Sequence, residues 1–270
     1  MRYENGVQDF DNVTDWLTFI TDEAHEKPGV SDRERERGFN ETDSLAEAIH
    51  LAERGWPGGL ERVRALSVKI SEELIKVLYQ PEVIHDVTGD CLDIGRFAAG
   101  EPDEFISLKQ AEIDQEPRLL HIVASIGAIA NVHPTAMIER GAAVVALIDA
   151  LESHGKRVIV DCVSPVANLP EPFRMTRVRV KDANAPVQLA NLVFLLAHPD
   201  SLRRLVFRCR EIAVGAVACE RRGYGRSDEA TPSEQGDIYV KSLYGGERGI
   251  TQYVLAQLSE QGIYAEKEAV

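Results

Sequence analysis

The apolar and polar positions are patterned most clearly between residues 118 and 163. Residues 119–128 are almost wholly apolar without polar alternation, which is typical of a strand covered on both faces. Residues 136–151 are apolar at most positions and leave only a narrow polar stripe, which predicts a helix deep in the fold. Residues 158–163 form a second apolar run. Two buried strands joined by one helix predict a parallel βαβ unit with a right-handed crossover.

The ends of this predicted helix carry the residues expected there. Pro134 suits the first turn, because its missing N–H group would have no partner within the helix. Gly155 suits the position just after the last turn, where a left-handed conformation costs glycine little. Both residues support one helix between the two strands.

The flanking segments predict further elements. Ser44 followed by Glu47 has the spacing of a capping box at a helix start. Residues 174–181 alternate basic and apolar side chains, which predicts an antiparallel strand at a sheet edge, with one exposed face. Residues 220–237 are charged and glycine-rich, which predicts a long mobile loop. Helices are also predicted at 13–25, 45–54, 60–79, 187–197, 202–214 and 247–261, and strands at 83–87 and 238–240.

These elements together predict an α/β fold. We expect a mostly parallel sheet with an antiparallel edge strand, helices on both faces, and a helical N-terminal region. The expected division is a mainly helical region at 1–116 and an α/β domain at 117–270.

Composition narrows the class of protein. No apolar run reaches 18 residues and the first residues lack a signal-peptide pattern, so we expect a cytoplasmic protein without a membrane span. The net charge of −14 argues against non-specific attraction to nucleic acid. Widely spaced cysteines in apolar or helical contexts predict buried free thiols, at Cys91, Cys162, Cys209 and Cys219.

Several chemistries are disfavoured by the motifs. The turn at 124–131 contains neither GxGxxG nor GxxxxGK[ST], which argues against a dinucleotide or P-loop site. The chain has no GxSxG elbow and no metal-type histidine pair, so we expect no cofactor and no metal. His121 lies within an apolar strand, which favours a core histidine with a hydrogen-bond partner.

One candidate ligand pocket remains. Ser125 follows a strand at the place where α/β folds bind ligands, and His133 comes shortly after it, so a hydrolase-like Ser–His pair is an open alternative to a structural role. Asn131 and Asp182 complete this candidate pocket. The acids at 90–104 are a second cluster that could hold a hard cation, but their spacing does not match a calcium loop, and helix caps and turns are the favoured interpretation.

Basic residues concentrate in the C-terminal half. For the strand at 174–181 we favour edge protection over nucleic-acid contact, and an affinity that falls steeply with salt would distinguish the second. The candidate nucleic-acid ligands lie on that strand, on helix 202–214 and at 221–226, and they are Arg174, Arg177, Arg179, Lys181, Arg203, Arg204, Arg221, Arg222 and Arg226.

The order of elements from about Pro117 to Gly262 resembles a von Willebrand factor A-like domain. That family places an Asp-x-Ser-x-Ser metal motif directly after its first strand. Here residues 123–127 keep Ser125 but supply no aspartate, so the resemblance implies the fold without the metal.

Other stretches resemble an uncharacterised family encoded in phages and prophages. They are 47–49 with 54–59, 93–97 with 100–102, and 140–143 with 146–147. This resemblance implies a setting, in the host cytoplasm or the virion, and no activity.

From these observations we expect a non-catalytic interaction, assembly or scaffold protein that binds a protein partner or itself. A nucleic-acid-associated protein is the alternative. A hydrolase-like enzyme with its site near Ser125 is the third hypothesis.

Overall fold

The computed structural model describes residues 1–36, 39–61, 63–65, 68, 81–110, 119–153, 155–185, 189–245, 249, 252–254 and 256–257. Most of the predicted helix 60–79 and much of the predicted helix 247–261 lie outside these residues.

The predicted βαβ unit is confirmed. Strand β6 (Leu119–Ser125) leads into a long helix (Pro134–Ser153) and returns in β7 (Arg157–Ala167), which pairs parallel to β6. The helix begins at Pro134, and Gly155 after its last turn has φ +81°, as both residues predict. The parallel pairing sets the direction of the whole sheet.

The α/β class with a mostly parallel sheet is also confirmed. The further strands of the main sheet are β1 (Arg2–Glu4), β2 (Val7–Phe10), β8 (Met175–Lys181), β9 (Arg226–Ser227) and β10 (Ile238–Val240). The strands have the order β1-β2-β8-β7-β6-β10, and β9 pairs with β7 outside this order. The pairs β2–β8, β7–β6 and β6–β10 are parallel, and β8 runs antiparallel to β7.

The sequence predicts that the basic strand β8 lies at the sheet edge, but in the structure it lies between two other strands. Its antiparallel pairing to β7 is as expected, but β2 pairs along its other side. The N-terminal hairpin of β1 and β2 therefore supplies the edge. The N-terminal region, which the sequence predicts to be mainly helical, thus also contributes two strands to the main sheet.

Helices α1 (Val13–Thr21) and α2 (Leu45–Arg54) start as their sequence predicts. The Asn12 side chain accepts the Asp15 N–H at 2.8 Å, and the Ser44 hydroxyl accepts the Glu47 N–H at 3.1 Å. These caps satisfy N–H groups that the first turn leaves without partners. The other helices, numbered in chain order with these, are α3 (Ile94–Ala99), α4 (Pro134–Ser153), α5 (Leu189–Ala197), α6 (Phe207–Val214) and α7 (Ala216–Arg221).

The core lies between the sheet and one layer of helices. Ile122, Val160 and Val178 point from the strands into the same large cluster as Trp16, Leu147 and Phe194 from the helices. The opposite face carries a smaller cluster, in which Ala230 packs with Val123 and Tyr239. A short 3₁₀ turn, Pro232–Glu234, follows Ala230 along the chain.

The segment 220–237 is not the mobile loop that its composition predicts. Tyr224 and Ala230 are buried, and β9 pairs with the end of β7. The Tyr224 hydroxyl donates to Glu211 at 2.5 Å. A prediction from composition misses the buried Tyr224 and Ala230, because most residues of this segment are charged or glycine.

Residues 81–110 form a small unit of their own, here called the acidic insert. Its three antiparallel strands have the order β3-β5-β4, with β3 at Pro81–Asp86, β4 at Cys91–Leu92 and β5 at Phe105–Gln110. The short helix α3 follows β4. Within the described residues, each hydrogen bond of the insert joins two of its own residues.

Candidate functional site

The carboxyl end of β6 is filled by a pair of hydroxyl groups. The Ser125 and Ser242 oxygens are 2.8 Å apart, and the Ser242 hydroxyl also donates to the Asp228 carbonyl at 2.9 Å. The Gly127 N–H donates to the Ser125 oxygen at 3.2 Å. A Cβ atom on Gly127 would come within 2.7 Å of the Ser242 oxygen, so the space between Gly127 and the two hydroxyl groups has no room for a substrate atom.

The candidate pocket residues do not come together. The His133 ring contacts Thr135, and in the described part of the chain no hydrogen bond joins Ser125 to a histidine or a carboxylate. Asn131 is exposed on the loop after β6. Asp182 lies near the amino ends of β6 and β7, away from Ser125, because the antiparallel strand β8 ends where β7 begins. There it lines a separate cavity of about 530 Å³ beside α1.

A buried cation binds the backbone next to the hydroxyl pair. Arg140 on α4 is 1% exposed and donates to the Gly127 carbonyl at 2.9 Å. Burial lowers the pKa of Arg140 to about 10, so it stays charged at neutral pH. Glu229 accepts the hydroxyl groups of Tyr239 at 2.5 Å and Tyr244 at 2.7 Å. The described groups at this end therefore have structural partners, and none is a base placed to activate Ser125.

Most basic residues of β8 are paired with acids. Arg174 forms two hydrogen bonds with Glu234, and Arg179 binds Asp161 and Asp182. The Lys181 amine lies 2.5 Å from a Glu152 oxygen and is buried. Arg177 is half-buried, and its Nε atom has no hydrogen-bond partner. This strand therefore presents little free positive charge for phosphate.

His121 has the hydrogen-bond partner that its strand position predicts. Its Nε2 atom is 2.8 Å from an Asp161 carboxylate oxygen, although a third of its side chain is exposed. Burial alone raises the pKa of Asp161, but hydrogen bonds from His121 and Arg179 outweigh it and lower that pKa. The three side chains form a polar ladder across β6, β7 and β8.

The arginines of the segment 202–210 are buried. Arg204 donates to the carbonyl groups of Ser31, Arg33 and Thr42 at 3.1, 3.1 and 2.6 Å. Arg203 binds the carbonyls of Phe39 and Val132, and Arg208 binds those of Ile20 and Glu26. These side chains hold the irregular segment at 22–36 and 39–43, here called the N-terminal strap, and are not available to nucleic acid.

Two acids complete the attachment of the N-terminal strap. Asp200 accepts the backbone N–H groups of Glu41 and Thr42 at 2.9 and 2.6 Å. Glu211 accepts those of Gly29 and Ser31 at 3.0 and 2.9 Å. A backbone without regular structure needs such partners when it is buried.

The remaining basic residues are exposed. The side chains of Arg221 and Arg226 form no hydrogen bond or ion pair with any described residue, whereas the Arg222 side chain donates to the Asn168 carbonyl at 3.0 Å. Of the predicted nucleic-acid ligands, these three keep an accessible guanidinium.

The acidic insert has an unusual distribution of apolar residues. None of residues 84–107 is buried, and the exposed fractions of Val87, Ile94 and Phe97 are 62%, 76% and 56%. Ile94 and Phe97 are three positions apart on α3, so their side chains share one helix face. Leu92, two positions before the first residue of this helix, is 37% exposed.

Polar contacts maintain the shape of the insert. The Asp93 carboxylate accepts the N–H groups of Gly95 and Arg96 at 2.9 and 3.2 Å, and the Arg96 bond is the main reason that its pKa is lowered. Arg96 in turn binds Asp103 at 2.9 Å and Glu101 at 3.0 Å. The acids at 90–104 thus include a helix cap and ion-pair partners, and the described residues contain no group of three or more ligands placed to hold a metal ion.

Cysteine placement corrects one expectation. Cys162, Cys209 and Cys219 are buried free thiols, as predicted, but Cys91 is exposed on β4 of the insert. Burial raises the pKa of Cys162 and Cys209 to about 12.

Sequence reasoning missed the partners of the buried arginines and the exposure of the insert. One signal for the first was present: four arginines in an otherwise apolar segment, beside Asp200 and Glu211. Arginine in such a segment favours buried hydrogen bonds to carbonyl groups over a solvated face.

A family model described as a domain of unknown function, DUF7192, matches residues 3–265. The chain matches no curated protein and no solved structure. Across the described residues, no helix is both long and apolar enough to cross a membrane.

Proposed function

This chain belongs to the DUF7192 family, and we propose that it is a non-catalytic protein whose acidic insert docks onto a basic, amphipathic segment of another protein. The observation that carries the proposal is a folded unit without a buried residue between 84 and 107, which leaves Ile94 and Phe97 open to solvent. A small sheet requires an apolar face covered by another element for stability. A partner supplies that cover.

The charge of the insert selects the kind of partner. Residues 81–110 contain seven carboxylates and two basic residues, a net charge of −5. Apolar side chains surrounded by carboxylates complement a segment with an apolar face and lysine or arginine at its rim. Self-association through the insert is disfavoured, because it would bring two acidic units together in a protein of net charge −14.

The rival functions have less support. The hydrolase hypothesis needs a base at Ser125, whose hydroxyl contacts Ser242 and the Gly127 N–H instead. The nucleic-acid hypothesis needs Arg203 and Arg204, which are 2% and 0% exposed. The setting we expect from the sequence, a phage- or prophage-encoded assembly component, agrees with a docking role.

The proposal is tested with a labelled amphipathic helical peptide of leucine and lysine as the probe, and fluorescence anisotropy of the full chain. We expect saturable binding that the double variant Ile94→Ser with Phe97→Ser weakens about tenfold or more, because both anchors lie on one helix face. Val217→Ser is the matched control, since Val217 is 63% exposed but lies on α7, outside the insert.

Equal affinity of the wild type and the double variant contradicts the proposal. So does a double variant that binds no more weakly than Val217→Ser. Sedimentation of the protein alone adds a second criterion, because a dimer that the double variant dissociates would identify a second copy as the occupant and overturn the proposed partner.

A further inference from the structure

A second cavity lies beyond the carboxyl ends of β6 and β10 and is separate from the acidic insert. Its volume is about 630 Å³, within the range of small-molecule sites. Ala128, Ile129 and Ala130 after β6 line one side, and Tyr244 after β10 lines another. β7 and β10 flank β6 on opposite sides, so this is where the order of strands along the chain reverses. Open α/β sheets bind ligands at such a position.

The wall of this cavity is aromatic. The rings of Phe207 and Tyr224 are stacked with centroids 4.5 Å apart and planes 22° apart. Phe39 of the N-terminal strap lies 6.4 Å from Phe207, between centroids, and completes this side. The Arg210 and Arg203 guanidinium groups lie over the Phe207 and Phe39 rings, 5.4 and 4.4 Å from their centroids, so an occupant contacts the parts of these rings that the guanidinium groups leave open. An aromatic wall favours a planar ring as the occupant.

The charge of the lining is opposite to that of the protein. Arg203, Arg210, Arg222 and Arg226 line the cavity and, within the part of the chain that the structure describes, no carboxylate does, although the chain has a net charge of −14. Arg203 and Arg210 are bound to carbonyl groups of the fold. The Arg226 side chain has no hydrogen bond or ion pair with a described residue and is exposed, so its guanidinium is free to bind an anion.

Backbone strain lies next to this free arginine. Gly223, Tyr224 and Gly225 all have positive φ angles, of 62°, 59° and 81°. Tyrosine rarely adopts this conformation, and it persists where the surroundings impose it. The turn directs the Tyr224 ring onto Phe207 and places Arg226 at the cavity mouth.

We infer that this cavity binds an aromatic anion, a small molecule with a planar ring and one phosphate or carboxylate group. The ring lies against Phe207 and Phe39, and the anion binds the Arg226 guanidinium, with Arg222 beside it. Ring and charge are both required, because the aromatic wall and the free cation are separate parts of one lining.

The test uses calorimetric titration of the full chain with 1-naphthyl phosphate, 1-naphthol and inorganic phosphate. We expect the phosphate ester to bind about tenfold more tightly than either half alone, since a charge-assisted hydrogen bond adds to ring stacking. Replacing the ester by 1-naphthoate then shows which anion the site prefers.

Two variants and one control locate the site. Arg226→Gln should weaken 1-naphthyl phosphate about five- to tenfold without changing 1-naphthol, and raised salt should have less effect on this variant. Ala130→Trp should abolish binding, because an indole at this exposed lining position fills the mouth. Arg221→Gln is the control, since Arg221 is exposed nearby but does not line the cavity.

Equal affinity for 1-naphthol and its phosphate overturns the inference. Unchanged binding by Ala130→Trp, or equal effects of Arg226→Gln and Arg221→Gln, overturns it as well. None of these results depends on the acidic insert, so the two proposals fail separately.

Discussion

A single histidine shows how burial couples this fold to pH. His198 follows α5 between two aromatic residues, 4.5 Å from the Trp56 ring and 4.9 Å from the Phe194 ring, centroid to centroid. Its Nδ1 atom accepts the Asp200 N–H at 3.1 Å, which fixes a neutral imidazole with the proton on Nε2. Burial lowers the pKa of His198 to about 4, and the nearby Asp200 charge opposes that shift only in part.

We predict that stability falls as the pH drops from about 6.5 to about 4 because of His198. The unfolded chain takes up a proton at this side chain in that window and the folded chain does not, so the free energy of unfolding decreases by up to about 1.4 kcal/mol per pH unit. Urea unfolding at several pH values measures it. His198→Phe should flatten this slope, whereas the exposed control His50→Gln should keep it. An equal slope in all three proteins would contradict the assignment.

Residue-scale predictions from the sequence succeeded where one local interaction decides the conformation. Ser44, Pro134 and Gly155 are helix-end residues, and each performs its expected role. The partner of Ser125 was not predictable, because Ser242 is 117 positions away along the chain. Long-range pairs of this kind depend on strand order, which local patterns do not specify.

At the scale of elements, the N-terminal strap is the segment that depends most on side chains. It has little regular structure, and the buried arginines 203, 204 and 208 supply partners for its carbonyl groups. The π-helical turn Ser201–Val206, which runs directly into α6, carries two of them. The strap in turn provides Phe39 to the aromatic wall, so its attachment and the cavity are linked.

We predict that Arg204→Met lowers the free energy of unfolding by about 3 kcal/mol or more. Two buried carbonyl groups and one partly buried carbonyl group lose their donor, and each buried group left unsatisfied costs roughly 1–3 kcal/mol. Urea unfolding checks this value against the exposed control Arg221→Met, which should stay within about 0.5 kcal/mol of the wild type. A loss below about 1 kcal/mol would mean that the strap does not depend on Arg204.

The elements themselves were largely predictable, and their neighbours were not. The βαβ unit follows from continuous apolar runs, because only a strand covered on both faces lacks alternation. The position of β8 inside the sheet follows from its pairing with residues 7–10, a short strand that no periodic pattern marks. The basic residues of β8 predicted an exposed edge, but acids such as Glu152 and Asp161 neutralise two of them within the fold.

At the scale of the whole molecule, two surfaces of opposite character lie on one acidic chain. The acidic insert combines exposed apolar residues with a net charge of −5, and the described residues that line the cavity beyond β6 and β10 include four arginines and no carboxylate. Composition gives only the net charge of the whole chain, −14, and reveals neither surface. The expected α/β class is confirmed. The proposed function depends on the acidic insert, in which the sequence predicted a strand and a cluster of acids. The exposure of its apolar residues was not predictable from the sequence.

The most direct test of the docking role uses Cys91, which is exposed on β4 beside Leu92, while Cys162, Cys209 and Cys219 are buried. An environment-sensitive fluorophore attached to Cys91 reports on the insert alone. On titration with the leucine–lysine peptide, we predict a saturable shift of its emission to shorter wavelength, as the peptide covers Leu92, Ile94 and Phe97 and removes water from them. An emission spectrum that does not change while the peptide binds would place the contact elsewhere and contradict the proposed function.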